Sequence, residues 1–144
     1  MISAVLDANV LVSGFPRQRG APSELIDRWL DDEFQLIVSE HILDGVVRAW
    51  SNPWFRDRFA RHEVERALAV LRTEATVVIP VPGIQGVAPD DEDDLVLATA
   101  VAGNVDYLIT GDRRFRAIGQ YEAIAIRSPR EFVAILDQAD PPME

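Results

Sequence analysis

Short apolar runs alternate along the chain with stretches in which apolar residues recur every three or four positions. A short continuous apolar run is typical of a buried strand, and the longer period is typical of an amphipathic helix. We predict five strands, over residues 2–6, 34–38, 77–81, 106–110 and 123–126. Buried strands that alternate with helices indicate a parallel sheet covered on both faces. The predicted fold class is therefore α/β with a short parallel sheet.

Helices are predicted between these strands. The first covers residues 23–32, and the second is capped by Ser39 and ends at Asn52-Pro53. Two shorter helices follow it, and the last two helices cover residues 93–102 and 128–137. The last of them begins with Ser-Pro-Arg-Glu, which combines an N-cap, a proline at the first helical position and a capping-box glutamate. Residues 9–20 are predicted to form an apolar turn and a loop.

The chain has 144 residues and contains no cysteine. Its length suits one domain, which we predict over residues 1–137, followed by a loose tail over 138–144. Without cysteine, a disulfide scaffold, a thiolate zinc site and a cysteine nucleophile are excluded. The two histidines, His41 and His62, are expected on the surface. Because no basic leader and no run of about 18 apolar residues is found, we expect a soluble cytoplasmic protein without a membrane anchor.

The formal net charge of −10 is unfavourable for a protein that binds nucleic acid. The charge is unevenly distributed, however, since residues 90–94 are five consecutive acids and arginines collect over residues 48–72. The candidates for phosphate contacts are Arg56, Arg58, Arg61 and Arg66. The alternative is a solvated acidic surface beside an ordinary helix whose arginines pair with neighbouring acids.

Several aspartates stand where predicted strands end or where a predicted helix begins. Asp7 comes directly after the first strand, and Asp112 follows the fourth. In a parallel α/β sheet, ligands bind outside the carboxyl ends of the strands. Asp90 and Asp93 stand at the start of a helix, where the helix dipole favours negative charge.

Carboxylates that lie close together repel one another unless a cation offsets their charge. Mg²⁺ prefers oxygen ligands and keeps several waters, so two or three carboxylates are enough to hold it. A bound divalent cation can activate water for phosphodiester cleavage. Each aspartate also has a structural alternative: Asp7 and Asp112 could be turn residues, and Asp90 and Asp93 could stabilise a helix N-terminus. Both interpretations stay open at this point.

Four segments resemble motifs of the PIN-domain family. They are residues 5–14 (VLDANVLVSG), 90–100 (DDEDDLVLATA), 106–115 (DYLITGDRRF) and 128–132 (SPREF). Their order and spacing agree over nearly the whole chain, and the branch most similar is the VapC-like toxins of bacterial toxin–antitoxin pairs. The resemblance implies a three-layer α/β/α sandwich and an endoribonuclease that depends on Mg²⁺ or Mn²⁺ and cuts single-stranded or loop RNA. It also implies an antitoxin protein that buries the acidic pocket.

The resemblance further implies roles for individual residues. Asp7, Asp93 and Asp112 would be catalytic acids that hold the metal, and Asp90 would be a catalytic helper. Two polar neighbours, Asn9 and Thr110, would orient carboxylates or waters.

The chain departs from the family in the helix after Ser39. Where the family places a glutamate, in a stretch such as Ser-Pro-Glu-Ile-Leu-Glu-Glu-Leu, this chain has Gly45. Asp44 is adjacent, but consecutive helix positions point about 100° apart, so it does not simply replace the glutamate. Two other functions therefore stay open. One is a degenerate PIN domain that binds RNA or a partner without cutting, and the other is a phosphoryl-accepting domain with Asp7 as nucleophile.

Three aromatic residues lie near the end of the same helix: Trp50, Trp54 and Phe55. If they are exposed, they could mediate contact with a partner or self-association as a homodimer. If they are buried, they extend the core.

Overall fold

The computed structural model describes residues 1–15 and 19–139. Within these residues, six strands form one sheet in the order β3-β2-β1-β4-β6-β5. Neighbouring strands run parallel except β5 and β6, which are antiparallel. The strands are β1 Ser3–Leu6, β2 Gln35–Val38, β3 Thr76–Val77, β4 Tyr107–Ile109, β5 Gln120–Tyr121 and β6 Ile124–Arg127.

Eight helices in the described part of the chain flank this sheet. They are α1 Ala8–Gly14, α2 Ala21–Leu30, α3 Glu40–Trp50, α4 Pro53–Arg56, α5 Arg61–Glu74, α6 Asp91–Ala102, α7 Arg113–Arg116 and α8 Pro129–Ala139. Helix α1 contacts both α2 and α3, α2 contacts α8, and α6 packs on β1, β2 and β4. The predicted α/β fold, a largely parallel sheet flanked by helices, is confirmed.

The central position of β1 explains the continuous apolar run that opens the chain. Val5 of β1 pairs with Ile37 of β2 on one side and with Leu108 of β4 on the other. All three side chains are buried, because strands in the middle of a parallel sheet are covered on both faces. Helix α8 is joined to this core by Phe132, whose ring packs edge-to-face on Phe34 at 5.0 Å between centroids.

The helix caps predicted from the sequence are present. The Ser39 hydroxyl accepts a hydrogen bond from the backbone N–H of Ile42 at 3.4 Å and so caps α3. At the start of α8, Ser128 Oγ accepts from the Glu131 N–H at 3.1 Å, and Glu131 Oε1 accepts from the Ser128 N–H at 2.8 Å. This reciprocal pair is a capping box, and it satisfies backbone donors that the helix itself leaves unpaired.

Two predicted segments near the sheet were wrong in extent or type. The third strand covers Thr76–Val77 instead of 77–81, because its partner β2 ends at Val38, where the chain turns into α3. Beyond it, Ile79 is 87% exposed and the prolines that follow cannot donate to a ladder. The segment after Asp7, predicted to be an apolar turn, is the helix α1.

A hairpin and three helices also differ from the prediction. β5 and β6 are joined through Glu122, which adopts a positive φ of 52°, and no glycine or asparagine marks this turn in the sequence. Helix α6 begins at Asp91 and not at Asp93, since Asp90 is its N-cap. Helix α5 reaches 14 residues, and α7 follows directly after Asp112.

The aromatic residues near the end of α3 divide between core and surface. Trp50 is buried in the core, whereas Trp54 is 46% exposed and packs edge-to-face on Phe55.

No helix among the described residues is long and apolar enough to cross a membrane. Residues 16–18 of the predicted loop and 140–144 of the predicted tail lie outside the described residues.

Candidate active site

Asp7 is held at the junction of β1 and α1. It is the N-cap of α1, and its Oδ1 accepts from the Ala8 N–H at 2.8 Å. Its Oδ2 accepts from Thr110 Oγ1 at 2.9 Å and from Asn9 Nδ2 at 3.4 Å. Burial raises the pKa of the Asp7 carboxyl, although the hydrogen bonds from Thr110 and Ala8 lower it. The side chain is therefore held in one orientation by three hydrogen bonds.

Thr110 connects the ends of β1 and β4. Its fully buried hydroxyl donates to Asp7 and accepts from the backbone N–H of Asp112 at 3.1 Å. Asn9 makes a second connection, since its Oδ1 accepts from the Gly111 N–H at 3.3 Å. Asp112 caps α7 by accepting from the Arg114 N–H at 2.9 Å. The loop that carries Asp112 is thus fastened to the loop that carries Asp7.

Asp93 lies in the first turn of α6, behind the cap residue. The Asp90 carboxylate accepts from the Asp93 N–H at 2.9 Å. Asp93 Oδ2 is buried, and it has no hydrogen-bond partner within the described residues. Burial, together with the charges of Asp7, Asp90 and Asp112, raises the pKa of Asp93 to about 7. A carboxyl of this kind is found where acids are gathered for function, and it marks the centre of the candidate site.

A cavity of about 280 Å³ brings two of the four predicted acids together. Asp7 and Asp93 both line it, along with Gly45 of α3. Asp112 lines a neighbouring depression with Asn9 and acts on Asp93 through its charge, as Asp90 also does.

A hard divalent cation fits the donor atoms at this cavity. The donors are carboxylate oxygens, which Mg²⁺ prefers, and the unpartnered Oδ2 of Asp93 lacks the positive partner that a cation would supply. Across residues 1–15 and 19–139, no three histidine or acidic side chains are already gathered where they could hold a metal ion. Asp7 and Asp93 are the residues that would hold it, with Asp112 and Asp90 close enough to add charge.

The α3 side of the cavity carries no acid. A Cβ atom built on Gly45 would lie 3.3 Å from Ala8 Cβ, which is a tight contact, and 3.7 Å from Arg48 Nη2, which is an ordinary one. Asp44 is exposed and does not line the cavity; it lines an adjoining depression that shares Arg48 and Glu92 with it. The expectation that Asp44 does not take over the position of Gly45 agrees with this placement.

Two basic residues of α3 complete the wall, and sequence reasoning missed both. His41, expected on the surface, is only partly exposed, and its Nε2 lies 3.0 Å from the Glu92 carbonyl oxygen. Arg48 Nη1 is 3.1 Å from Glu92 Oε1. Positions 41, 45 and 48 recur at the period of a helix face, which was the available signal. His62 is exposed, as predicted.

Asp94, the last acid of the 90–94 run, has a structural use. It is buried, and its carboxylate accepts from the backbone N–H groups of Gly86, Val87 and Ala88 at 2.8, 3.1 and 2.8 Å. These hydrogen bonds, with that of Ala88 the strongest, lower the pKa of Asp94. Asp94 therefore anchors the loop before α6 and is not part of the cavity.

The arginines proposed for phosphate contact lie on α4, α5 and the turn between them. Arg58 stacks on the Trp54 ring at 4.1 Å and donates to the Trp54 carbonyl, while Arg61 pairs with Glu65 at 3.1 Å. Arg56 lines a separate cavity with Trp50. None of these three lines the cavity that holds Asp7 and Asp93.

Several solved structures have a similar fold. One is VapBC2 from Rickettsia felis, bound to a DNA fragment from the promoter. It has 12% sequence identity and a TM-score of 0.58, and the match covers 88% of this chain and 98% of that chain. PAE2754 from Pyrobaculum aerophilum has 16% identity, coverage of 96% and 97%, and a TM-score of 0.59. FitAcB from Neisseria gonorrhoeae has 13% identity, coverage of 88% and 98%, and a TM-score of 0.54. At these identities the likeness shows the fold.

No curated protein matches the chain by sequence. A family model described as PIN domain matches residues 3–114, a stretch that runs from β1 into α7 and contains Asp7, Asp90, Asp93 and Asp112. The match extends over well more than half of the chain and confirms the resemblance seen in the sequence. The chain belongs to the PIN-domain family.

Proposed function

We propose that this chain is a metal-dependent endoribonuclease that cuts single-stranded or loop RNA. Asp7, Asp93 and Asp112 would be its metal-holding acids, and Asp90 would assist them. The observation that carries the proposal is the cavity shared by Asp7 and Asp93, in which Asp93 keeps an unpartnered Oδ2 and a pKa of about 7. Membership of the PIN-domain family supports the same reaction class.

The chain's own residues would prepare the site before RNA arrives. Thr110 and the Ala8 N–H fix both oxygens of Asp7, so this carboxylate needs no rearrangement on binding. Asp93 exchanges a proton near neutral pH and would release it when a cation binds. When bound, Mg²⁺ or Mn²⁺ would lower the pKa of a coordinated water and offset the charge of the phosphodiester.

The same contacts argue against Asp7 as a phosphoryl acceptor. Its side chain is only 7% exposed, and both of its oxygens accept hydrogen bonds from the protein. A nucleophile for phosphoryl transfer needs an oxygen that is free to approach the phosphorus. A role in holding and orienting charge suits Asp7 better.

The proposal is tested by incubating the purified chain with labelled single-stranded and hairpin RNA in Mg²⁺, in Mn²⁺ and in EDTA. We expect metal-dependent cleavage that Asp7→Asn and Asp93→Asn each abolish, because the amide keeps the shape of the side chain and loses its charge. The matched control is Asp91→Asn, the same change at an exposed residue in the same first turn of α6. Undiminished cleavage by both site variants would show that the assignment of the acids is wrong.

One observation favours a second candidate function. Gly45 leaves the α3 side of the cavity without an acid, which weakens the case for a complete catalytic site. In that case the chain would be a degenerate PIN domain that binds RNA or a partner without cutting. RNA binding by the wild type with no cleavage in either metal would favour this function.

We further propose that the chain is the toxin of a toxin–antitoxin pair. Its resemblance to VapC-like toxins and its fold similarity to VapBC2 and FitAcB support this role. The antitoxin would cover the cavity and its acids. Co-expression with the product of the neighbouring short reading frame should relieve growth inhibition and yield a complex that no longer cleaves RNA.

A further inference from the structure

We propose that Arg48 binds a phosphate of the RNA beside the acidic cavity, at the position where α3 carries Gly45 in place of an acid. This inference rests on the proposed function, because it names a contact that the same site makes with its substrate. Arg48 lines the cavity together with Asp7 and Asp93, and its exposed guanidinium lies beside Gly45 of the same cavity.

Arg48 lies beside Gly45. A Cβ on Gly45 would lie 3.7 Å from Arg48 Nη2, an ordinary contact, so the guanidinium is next to the glycine that lines the cavity. His41, one helical turn earlier, lies 3.0 Å from the Glu92 carbonyl and ties α3 to the start of α6. The α3 side of the cavity therefore carries His41 and Arg48, and Glu92 of α6 contacts both of them.

The negative charge around the cavity is the reason why a guanidinium would be needed there. An RNA phosphodiester that approaches Asp7 and Asp93 also meets the charges of Asp90, Asp112 and Glu92, in a chain with a net charge of −10. A phosphate needs a positive group close to the point of entry to overcome this repulsion. Among the described residues that line the cavity, Arg48 is the sole guanidinium; Arg114 of α7 does not line it, although its charge acts on Asp93.

Arg48 is also free to exchange its present partner. Its ion pair with Glu92 joins side chains that are 62% and 65% exposed, and such pairs contribute little to stability. A phosphate offers the planar guanidinium two oxygens at once, which is the stronger contact. By contrast, Arg28 is shielded and held by three acids, so it is committed to the fold.

The experiment measures binding of a fluorescein-labelled single-stranded RNA by anisotropy in EDTA over a range of KCl concentrations. Arg48→Gln should weaken binding about tenfold and reduce the slope of log affinity against log salt by about 0.7, the value for one lost phosphate contact on a single strand. Arg48→Lys should keep the slope and lose part of the affinity, because an ammonium cannot bind two oxygens in the same way. The matched control is Arg72→Gln, which breaks an exposed arginine–glutamate pair away from the cavity.

Cleavage kinetics in Mg²⁺ form the second arm, in which Arg48→Gln should raise KM about tenfold. The proposal is wrong if the salt slope and KM of Arg48→Gln equal those of Arg72→Gln and the wild type, or if Arg48→Gln cleaves faster. It is also wrong if the wild type binds no RNA. The nuclease proposal fails separately. If the wild type binds RNA but does not cut it, and Arg48→Gln shows the salt slope expected for one lost phosphate contact, the Arg48 site is supported and the cleavage reaction is refuted.

Discussion

Replacing Asp93 with asparagine should stabilise the protein at alkaline pH in the absence of metal. In the folded state, burial and the charges of Asp7, Asp90 and Asp112 raise the pKa of Asp93 from 3.8 to about 7. The folded state therefore binds this proton more tightly than the unfolded state does. The stabilisation is complete below a pH of about 4 and is lost as the pH rises through about 7.

The size of this stabilisation follows from the rise in the pKa of Asp93. At about 1.36 kcal/mol for each pKa unit, a rise from 3.8 to about 7 corresponds to about 4 kcal/mol. Because Asp93 is only partly buried, solvent and salt screening reduce this to about 1–2 kcal/mol. We therefore expect Asp93→Asn to exceed the wild type in unfolding free energy by about 1–2 kcal/mol at a pH of about 8, and to match it at a pH of about 4.

The assay is urea unfolding followed by circular dichroism in EDTA at several pH values. Asp91→Asn is the control, because Asp91 is an exposed acid in the same first turn of α6. It measures how much unfolding free energy is lost when a negative charge is removed from the helix N-terminus. Adding Mg²⁺ at alkaline pH should then raise the midpoint of the wild type and leave that of Asp93→Asn unchanged. Parallel pH profiles for the wild type and Asp93→Asn would refute the reasoning.

Three further predictions concern the walls of the site and the distant arginines. Gly45→Glu should tighten metal binding and raise the cleavage rate at saturating RNA in a metal titration. Gly45→Ala adds a Cβ 3.3 Å from Ala8 Cβ and gains roughly 1 kcal/mol of helix propensity, and it should change stability alone. Thr110→Val should destabilise the fold by about 1–3 kcal/mol in urea unfolding, since it removes a buried hydrogen bond to Asp7, and Thr110→Ser should restore most of it. The double variant Arg58→Ala/Arg61→Ala should flatten the salt dependence of RNA binding if these arginines hold phosphates; an unchanged slope would mean that their local contacts are their whole role.

The sequence carried enough information to predict the architecture because its signals are local. Continuous apolar runs identified β1, β2 and β4, and capping residues identified the starts of α3 and α8. The β5–β6 hairpin escaped prediction because its turn residue, Glu122, takes a positive φ that its own type does not favour. β3 was overestimated because the length of an edge strand depends on where its partner β2 ends.

The site divides in the same way between sequence and structure. The chain by itself determined that Asp7 and Asp112 follow strands and that Asp90 and Asp93 stand at the start of a helix, since each depends on neighbours a few residues away. Only the tertiary structure decided that Asp93 shares a cavity with Asp7 and that Arg48 and Gly45 line the same cavity. The physical reason is that burial, charge interactions and the packing of α3 against α6 join residues that are far apart in the chain. The pKa of Asp93 is therefore raised only when these elements pack together.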